Sequence, residues 1–376
     1  MKFSIILSEL NKQLQEVSSI AGASPGKDDI TQNIYISVHN NLLQLKATDY
    51  VIELIANIPL TDVSSEGEII MNASKLREAL KNLDPKTSIC FELDESNQKM
   101  ILTADSTTFE IRTRSAADFP KFEDEDSVQD IVVKQNQLKF LLDKSLFCVS
   151  ADDFRDYLKG VRFEVDGNTL SVFTSDGHRM AILETEIENP VNDFFGALLT
   201  KRGAAQLSKI ISPNSDADIT LTFTKNSMRT TCNGYCLSAK LIVCTYPNAR
   251  GLIPRDMIAK INIPRQALSS YIKRVSVLSS KRLNGVTFTF SKGVVDLHSE
   301  NAEHEEATAR LPLNYDGPNI EMALNSTYVI EILNIIEKDN VDFCFNGMMN
   351  SVLIAPDDFD NDSKIRYRYI VSKVVI

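Results

Sequence analysis

Residues 160–183 read GVRFEVDGNTLSVFTSDGHRMAIL, and two other passages of the chain follow the same pattern. These are NIYISVHNNLLQLKATDYVIEL at 33–54 and GVTFTFSKGVVDLHSENAEHEEAT at 285–308. Each passage alternates apolar and polar residues with a period of two, crosses a polar turn and alternates again. That pattern is typical of half-buried β-hairpins. The chain therefore contains the same hairpin three times.

The spacing of further landmarks indicates an internal repeat of about 126 residues. Asp49, Asp176 and Asn301 occupy matching places, 127 and 125 residues apart, and Pro120 matches Pro247, again 127 apart. Helical patterns keep the same spacing. The first helix of each repeat is predicted to begin near Leu7, Lys134 and Pro264, and the second near Asn72, Thr200 and Asn325.

Three such repeats account for all 376 residues. A chain of this length is too long for one ordinary core, which also favours several domains. We predict an α+β fold of three repeated domains, at 1–125, 126–253 and 254–376. Each is expected to have two helices packed on antiparallel sheets.

The composition, with 43% hydrophobic and 24% charged residues, is typical of a soluble globular protein. No apolar run approaches the roughly 18 residues that a membrane helix needs, and polar residues come too early for a signal peptide. We therefore expect a cytoplasmic protein that does not contact a membrane. Its six cysteines are expected to be reduced and mostly buried.

The net charge of −11 argues at first against binding nucleic acid, because phosphate binding needs lysines and arginines. Net charge does not describe the distribution of charge, however. On predicted helix 264–282, Lys273, Arg274 and Lys281 lie opposite an apolar stripe, and Lys201 and Arg202 lie likewise on helix 200–211. These faces are either ordinary solvated surfaces or a basic surface for DNA.

The string Ser175-Asp176-Gly177-His178-Arg179 occurs only in the second repeat. Serine, histidine and aspartate suggest hydrolytic catalysis, but adjacent residues in a turn have diverging side chains, and a triad needs convergent ones. A purely structural Asp-Gly turn is a second possibility. The interpretation that we favour is a binding edge, at which Gly177 admits a partner's backbone and the two residues after it present donors.

Other motifs do not support a metal, cofactor or active site. His298, Glu300, Glu303 and His304 fit no common ligand spacing, and the acidic run at 357–362 lacks the glycine and glutamate of a calcium loop. Neither GxxxxGK[ST] nor GxGxxG is present. We predict no cofactor, no metal and no enzymatic activity.

The three repeats, the string TSDGHRMAI at 174–182 and the start MKF together resemble the bacterial beta sliding clamps, the beta subunits of DNA polymerase III. The similarity runs from Met1 to Ile376. It implies a head-to-tail homodimeric ring of the DNA clamp fold, with helices lining the inner wall and sheets outside. Duplex DNA would pass through the ring without base readout, and partners would dock through short linear motifs.

The resemblance implies a partner-peptide pocket between the second and third domains. Its lining is expected to comprise Leu158, Ser175, Gly177, His178, Arg179, Met180, Pro247, Leu252, Met349, Ser351, Ile370 and Ser372. Apolar residues with a few polar anchors suit the side chains of a bound peptide. The tail departs from the family, since it ends in IVSKVVI without the usual proline and methionine, and Gly251 stands where the family has an arginine. Removing the tail residues 374–376 is nevertheless expected to abolish peptide binding.

The resemblance also implies contacts with DNA. The candidate residues are Lys75, Arg155, Tyr157, Lys201, Arg202, Lys273, Arg274 and Lys281. In the loop 24–29 Lys27 stands nearest to the place of a family arginine, and the acidic Asp152 and Asp156 flank Arg155. Cations facing the phosphates would give attraction that is independent of sequence and permits sliding.

These observations predict a sliding clamp in DNA replication, which encircles duplex DNA as a homodimer and gives processivity. Its expected partners are the polymerase catalytic subunit, the clamp loader and other replication or repair proteins with clamp-binding motifs. The alternative is a ring-shaped scaffold that docks partners but hardly contacts DNA. A hydrolase using His178 is a third possibility.

Overall fold

The computed structural model describes residues 1–22, 30–254, 256–359 and 365–376. Lys27 and its loop therefore lie outside the described residues, as does the end of the acidic run after Phe359. The described part contains six α-helices, two in each predicted repeat. They are α1 (Leu7–Ser18), α2 (Ala73–Leu80), α3 (Gln135–Asp143), α4 (Lys201–Ile210), α5 (Arg265–Val275) and α6 (Ser326–Ile335).

Every helix begins at the predicted residue or one residue after it, so the predicted helix starts are confirmed. Two of the predicted starts are caps. The side chain of Asn72 accepts a hydrogen bond from the amide of Lys75, and that of Asn325 accepts from the amides of Thr327 and Tyr328. An asparagine in this place satisfies helix amides that have no partner within the helix.

The strands recur at the same spacing as the helices. The first repeat contains β1 (Lys2–Ile6), β2 (Asn33–His39), β3 (Leu42–Thr48), β4 (Ile52–Pro59), β5 (Asp62–Ser65), β6 (Gly67–Asn72), β7 (Ser88–Asp94), β8 (Lys99–Ala104) and β9 (Thr107–Arg114). The second contains β10 (Gln129–Lys134), β11 (Gly160–Asp166), β12 (Thr169–Ser175), β13 (Arg179–Glu186), β14 (Phe195–Thr200), β15 (Asp218–Phe223), β16 (Ser227–Cys232) and β17 (Tyr235–Lys240). The third contains β18 (Met257–Pro264), β19 (Gly285–Ser291), β20 (Val294–Glu300), β21 (Glu306–Pro312), β22 (Ile320–Asn325), β23 (Asn340–Asn346), β24 (Ser351–Pro356) and β25 (Ile365–Ser372).

The chain forms two compact units, residues 1–136 with 202–241 and residues 137–201 with 242–376. In the first unit thirteen described strands form one sheet in the order β10-β15-β16-β17-β4-β3-β2-β6-β9-β8-β7-β1-β5. The second unit holds an eight-stranded sheet, β14-β11-β12-β13-β25-β24-β23-β18, and a four-stranded sheet, β21-β20-β19-β22. Pairing of β17 with β4 and of β25 with β13 runs across the repeat boundaries, so the three-domain boundaries stay a prediction.

The helices bury the stripes that the sequence predicted. In α5, Leu268, Ile272 and Val275 are at most 1% exposed, whereas Lys273 and Arg274 are exposed. Burying a leucine or isoleucine in this way contributes about 1.5–3 kcal/mol. These stripes therefore attach the helices to the sheets and leave the cations on the outer helix faces.

The six cysteines are unpaired; Cys148, Cys232 and Cys344 are buried, and the other three are half-buried. Burial raises the pKa of the Cys148 thiol well above its usual range. In the described part of the chain no helix is both long and apolar enough to cross a membrane.

Candidate peptide-binding cleft and basic helix faces

The turn between β12 and β13 is built by the side chains of Ser175 and Asp176. The Ser175 hydroxyl donates to the carbonyl of Arg179 (2.7 Å) and accepts from the amide of Gly177 (3.0 Å). Asp176 Oδ1 accepts from the amides of His178 and Arg179, both at 3.0 Å. The serine and the aspartate are thus used to shape the hairpin.

The landmarks in the other two repeats build similar turns. Asp49 Oδ1 accepts from the amides of Val51 (3.0 Å) and Ile52 (2.8 Å). Asn301 Oδ1 accepts from the amides of Glu303 (2.9 Å) and Glu305 (3.0 Å). Asp and Asn side chains favour turns because they replace backbone hydrogen bonds in this way. The main role of Asp49, Asp176 and Asn301 is therefore to form these turns.

The geometry of this turn does not form a catalytic triad. The Ser175 hydroxyl donates to a backbone carbonyl, and the ring of His178 stacks against Tyr328 with centroids 6.4 Å apart and planes 22° apart. Nucleophile and base would have to be hydrogen-bonded to each other for that chemistry. Ser175 and His178 are therefore not arranged as a nucleophile and its base.

Arg179 is almost completely buried, with a side chain only 8% exposed. Its Nε donates to Asp176 Oδ2 (3.0 Å), its Nη2 donates to the carbonyl of Phe147 (3.0 Å), and its Nη1 pairs with Glu331 of α6. The guanidinium also lies over the Tyr328 ring, 4.4 Å from its centroid. Arg179 therefore ties the hairpin to α6, with most of its donors directed inward.

A cavity of about 450 Å³ opens beside this hairpin. Nine of the twelve predicted pocket residues line it, namely Ser175, Gly177, His178, Arg179, Met180, Leu252, Ser351, Ile370 and Ser372. The floor is apolar, because Met180 and Ile370 belong to a buried cluster with Phe173 and Leu353. At the rim, Leu252 is 57% exposed.

Three predicted residues are absent from this lining. Leu158 is buried, with its carbonyl bonded to the amide of Ser150; Pro247 precedes the short turn Ala249–Leu252; and Met349 sits in a turn at a φ of 50°. The lining residues that the sequence did not predict are Gly251, Ile253, Pro254, Asp256, Asn346, Met348 and Asn350. In the sequence, Met348 and Met349 are adjacent, and the prediction named the second of them. The turn geometry instead brings Met348, which is 81% exposed, to the cleft.

Residues 374–376 are not part of this lining. The amide of Val374 donates to the carbonyl of Ala323 (2.9 Å), and Ile376 packs against the backbone of Gly285. The expectation that removing residues 374–376 abolishes peptide binding therefore loses its structural basis, since the cleft draws on β25 only up to Ser372.

Arg155 approaches the cleft hairpin closely. Its guanidinium forms a two-pronged pair with Asp153, with Nε–Oδ1 and Nη2–Oδ2 both 2.9 Å, and this pair lowers the pKa of the Asp153 carboxyl to about 2. A Cβ atom added to Gly177, which has a φ of 88°, would stand 2.5 Å from Arg155 Nη2. The positive φ is what favours glycine here, since the arginine end could move, and the charge of this DNA candidate is already paired.

Three other predicted DNA residues are also engaged within the protein. Lys201 Nζ donates to the carbonyl of Val149 (2.9 Å), and Arg202 pairs with the buried carboxylate of Asp49. Tyr157 packs edge-on against Tyr246, with centroids 6.4 Å apart. These three side chains are therefore less available to phosphate than their residue types suggest.

Lys75, Lys273, Arg274 and Lys281 are the exposed remainder of the predicted DNA set. No ion pair within the described residues involves any of the four. The guanidinium of Arg274 lies 4.9 Å from the ring centroid of Tyr271, one turn back on α5. These cations project from helices or the segment after α5, as a phosphate-facing surface requires.

The first unit has a counterpart of the cleft, formed by the equivalent hairpin and by the loop after Pro120, but its cavity is only about 230 Å³. Glu125 follows Pro120 by five residues, as Leu252 follows Pro247. Its Oε1 accepts from Asn226 Nδ2 (2.6 Å), and its Oε2 accepts from the Asn226 amide (3.2 Å) and the Thr224 hydroxyl. These bonds form a carboxylate strap at the side of the smaller cavity, whereas Leu252 at the corresponding position is 57% exposed at the rim of the second cleft.

Replacing Glu125 with alanine is expected to release this strap. The Asn226 amide loses one acceptor and its side chain another, so amide exchange across 224–227 should accelerate about tenfold, equivalent to roughly 1.4 kcal/mol. Hydrogen exchange followed by mass spectrometry measures the change. Glu123→Ala, an exposed neighbour, is the control, and equal exchange in both variants would show that Glu125 does not hold the loop.

Three family models match consecutive parts of the chain. They are described as the N-terminal, central and C-terminal domains of the DNA polymerase III beta subunit, and they match residues 1–123, 132–248 and 250–367. The beta sliding clamp of Pseudomonas aeruginosa is 27% identical over 365 residues, which is 97% of this chain and 98% of that protein. The beta sliding clamp of Vibrio cholerae is 28% identical over 376 residues, covering both chains completely.

Solved structures resemble this chain over its whole length. A sliding clamp (DNA polymerase III subunit beta) from Pseudomonas aeruginosa bound to griselimycin has a TM-score of 0.93 at 27% identity, with 100% of each chain covered. The corresponding structure from Bartonella birtlesii, also bound to griselimycin, has a TM-score of 0.91 at 25% identity, again with both chains fully covered.

Proposed function

Because the chain belongs to the DNA polymerase III beta subunit family, the beta sliding clamps, we propose that the cleft beside the hairpin Ser175–Arg179 is its docking site for partner peptides. The chain has the three-domain clamp fold and is a DNA sliding clamp that gives polymerase processivity. Its partners are duplex DNA and DNA polymerase, and it forms a dimeric ring. The clamp loader and other proteins with clamp-binding motifs are proposed further users of the same cleft.

The observation that carries the docking proposal is the open apolar floor of this cleft. Met180 and Ile370 present hydrophobic side chains, and Leu252 and Met348 extend the apolar surface at the rim. A short peptide with two or three large apolar residues would cover this surface, and polar side chains such as Ser372 would anchor its backbone. In the first unit Glu125 is bonded to Asn226 beside the smaller counterpart cavity, which supports the larger cleft beside Ser175–Arg179 as the site.

Catalysis is not part of this proposal. Ser175 and Asp176 are used in the turn, and the hydrogen bonds of Arg179 hold the hairpin to α6. The relatives are named for their role as clamps. We infer a non-enzymatic, cytoplasmic protein that acts by holding other proteins on DNA.

For the DNA contacts, the geometry favours Lys75, Lys273, Arg274 and Lys281 as the cations that face phosphate. Their charges are exposed and unpaired among the described residues, whereas Arg155 is held by a carboxylate. Attraction of this kind weakens as salt rises, because binding releases counterions. The remaining members of the set are paired within the protein, so these four are expected to provide most of the attraction to DNA.

Retention on circular DNA distinguishes a clamp that encircles and contacts DNA from a docking scaffold that hardly contacts it. A loaded clamp should stay on circular duplex DNA and slide off after linearisation. The triple variant Lys273→Glu, Arg274→Glu, Lys281→Glu should lose about tenfold in loading or retention at low salt while it stays folded. Lys292→Glu in the same repeat, whose side chain is 80% exposed, is the control for a charge reversal outside this set, and each single reversal of the set is compared with it.

Two results would overturn this account. Equal retention of the triple variant and the parent would mean that these cations are an ordinary solvated surface. It would favour a docking scaffold that hardly contacts DNA. Equal retention of the parent on circular and linear DNA would argue against encirclement itself.

The dimer also has a structural basis in unpaired strands. β21 is an edge of the four-stranded sheet, and along Thr107–Arg112 β9 pairs only with β8 among the described strands. Unpaired edges invite pairing, and two different edges that meet head to tail close a ring under two-fold symmetry. We propose that β21 of one protomer pairs with β9 of its partner.

A further inference from the structure

Two strand junctions join successive repeats, and both use the same register. In the first unit β4 pairs with β17, which places Glu53 opposite Ser238. In the second unit β13 pairs with β25, which places Met180 opposite Ile370. Glu53 and Met180 are equivalent, because each is the first residue that pairs across its own hairpin after the aspartate turn. The fold thus repeats one junction twice within the chain.

The strands for a third junction of this kind are β21 and β9. Glu306 is the first residue of β21 that pairs across its hairpin after the Asn301 turn. Glu110 is the fourth residue after the two-residue turn between β8 and β9, as Ser238 is after the turn between β16 and β17. The equivalent register therefore places Glu306 opposite Glu110, and Thr308 opposite Thr108.

Burial at the two intact junctions supports the same register. One residue along from the pairs above, Leu54 pairs with Leu237, and Ala181 pairs with Tyr369; all four are at most 1% exposed. The residues equivalent to these pairs are Ala307 on β21 and Phe109 on β9, and both are only half-buried. Their apolar surface lacks the cover that the other junctions provide, and a second copy of the chain would supply it.

We infer that Glu306 of one protomer lies directly opposite the partner's Glu110 in the dimer, so that like-charge repulsion weakens the strand pair that closes the ring. The inference rests on the homodimer proposed above and concerns its register and strength. Carboxylates on directly opposite residues of neighbouring strands destabilise the pairing. The corresponding positions of the two intact junctions hold no such pair of like charges.

The charges around this pair reduce the repulsion without removing it. Glu110 holds Lys99 at 2.7 Å on its own sheet, and Arg112 is the next residue on the same face of β9. On the other side Glu306 lies opposite Glu300 of β20, which pairs with His304 at 2.7 Å. Glu306 itself forms no ion pair within the described chain. The charge of Glu306 is therefore not compensated by an ion pair within its own protomer, and in the dimer it would face the partner strand.

Disulfide cross-linking tests the register. Directly opposite Cα atoms in an antiparallel pair are about 4.5–5.5 Å apart, within the range that a disulfide spans. The variant Thr108→Cys, Thr308→Cys should form covalent dimers under mild oxidation. In the control variant Thr108→Cys, Ala307→Cys, the second side chain is on the opposite face of the sheet, so few cross-links should form. The parent, with its six native cysteines, provides the background.

Sedimentation measurements of the dimer dissociation constant test the charge pair. Glu306→Gln should lower this constant about fourfold, and Glu306→Lys about tenfold, because the pair occurs at both junctions of a two-fold dimer. Glu321→Gln, an exposed glutamate on the opposite edge strand β22, is the matched control and should leave the constant unchanged.

The outcomes separate this inference from the proposed function. A parent that stays monomeric at every concentration would refute the proposed homodimer. A dimeric parent whose affinity is unchanged or lowered by Glu306→Gln would refute the like-charge pair. Stronger cross-linking of the 108–307 pair than of the 108–308 pair would refute the register.

Discussion

Replacement of Met180 by glutamate is expected to abolish peptide binding to the cleft. Met180 is only 7% exposed and forms the apolar floor with Ile370, so a carboxylate there must be desolvated when a hydrophobic side chain covers it. The first repeat illustrates that cost, since burial raises the pKa of Glu53 at the equivalent position. We expect the affinity to fall at least a hundredfold from a micromolar-order value, about −8 kcal/mol for the parent.

Fluorescence polarisation with a labelled peptide that carries a glutamine and two or three large apolar residues measures this loss. Leu252→Glu at the exposed rim provides a second variant that does not disturb the core. Val277→Glu, at a site 76% exposed and outside the cleft, is the control for added charge. Unchanged affinity in both cleft variants would place the partner site elsewhere on the molecule.

Arg179→Ala is expected to produce the largest loss of stability. The substitution removes a buried guanidinium that bonds Asp176, Glu331 and the carbonyl of Phe147. Water can solvate Glu331, which is 43% exposed, whereas Asp176 Oδ2 and the Phe147 carbonyl lose a largely buried donor. Breaking a buried charge network by removing one member costs about 3 kcal/mol. For a unit of this size the unfolding temperature should fall by roughly 6–12 °C.

Differential scanning calorimetry measures this shift. Arg366→Ala is the matched control, because its side chain is 48% exposed and its contact with Glu184 is long at 3.9 Å. Exposed pairs of this kind contribute at most about 1 kcal/mol. Arg179→Lys should recover only part of the loss, since an ammonium cannot reproduce the forked geometry. Equal unfolding temperatures for Arg179→Ala and Arg366→Ala would contradict the structural role.

Local patterns in the sequence were sufficient for much of this fold. Hairpin alternation, helix periodicity and the spacing of Asp49, Asp176 and Asn301 predict the repeat, the helix starts and the turns. These features depend on residues close together in the chain, such as an asparagine that caps the helix beginning at the next residue. Nine of the twelve expected cleft residues line the cavity, because the family motif carried them to matching positions.

What only the tertiary structure decided depends on side chains far apart in sequence. Arg179 bonds Glu331 across 152 residues of sequence, and Glu125 bonds Asn226 across 101, so no local pattern could predict an inward-facing arginine or the carboxylate strap of the first unit. The same holds for Lys201, whose ammonium group donates to the carbonyl of Val149, 52 residues away in the sequence. Sequence determines which residues form each hairpin and helix because those bonds are short-range. Packing between distant strands decides which cations are unpaired and which of the two cavities is larger. There, a hydrogen bond or a buried contact distinguishes side chains of the same type that the sequence alone cannot tell apart.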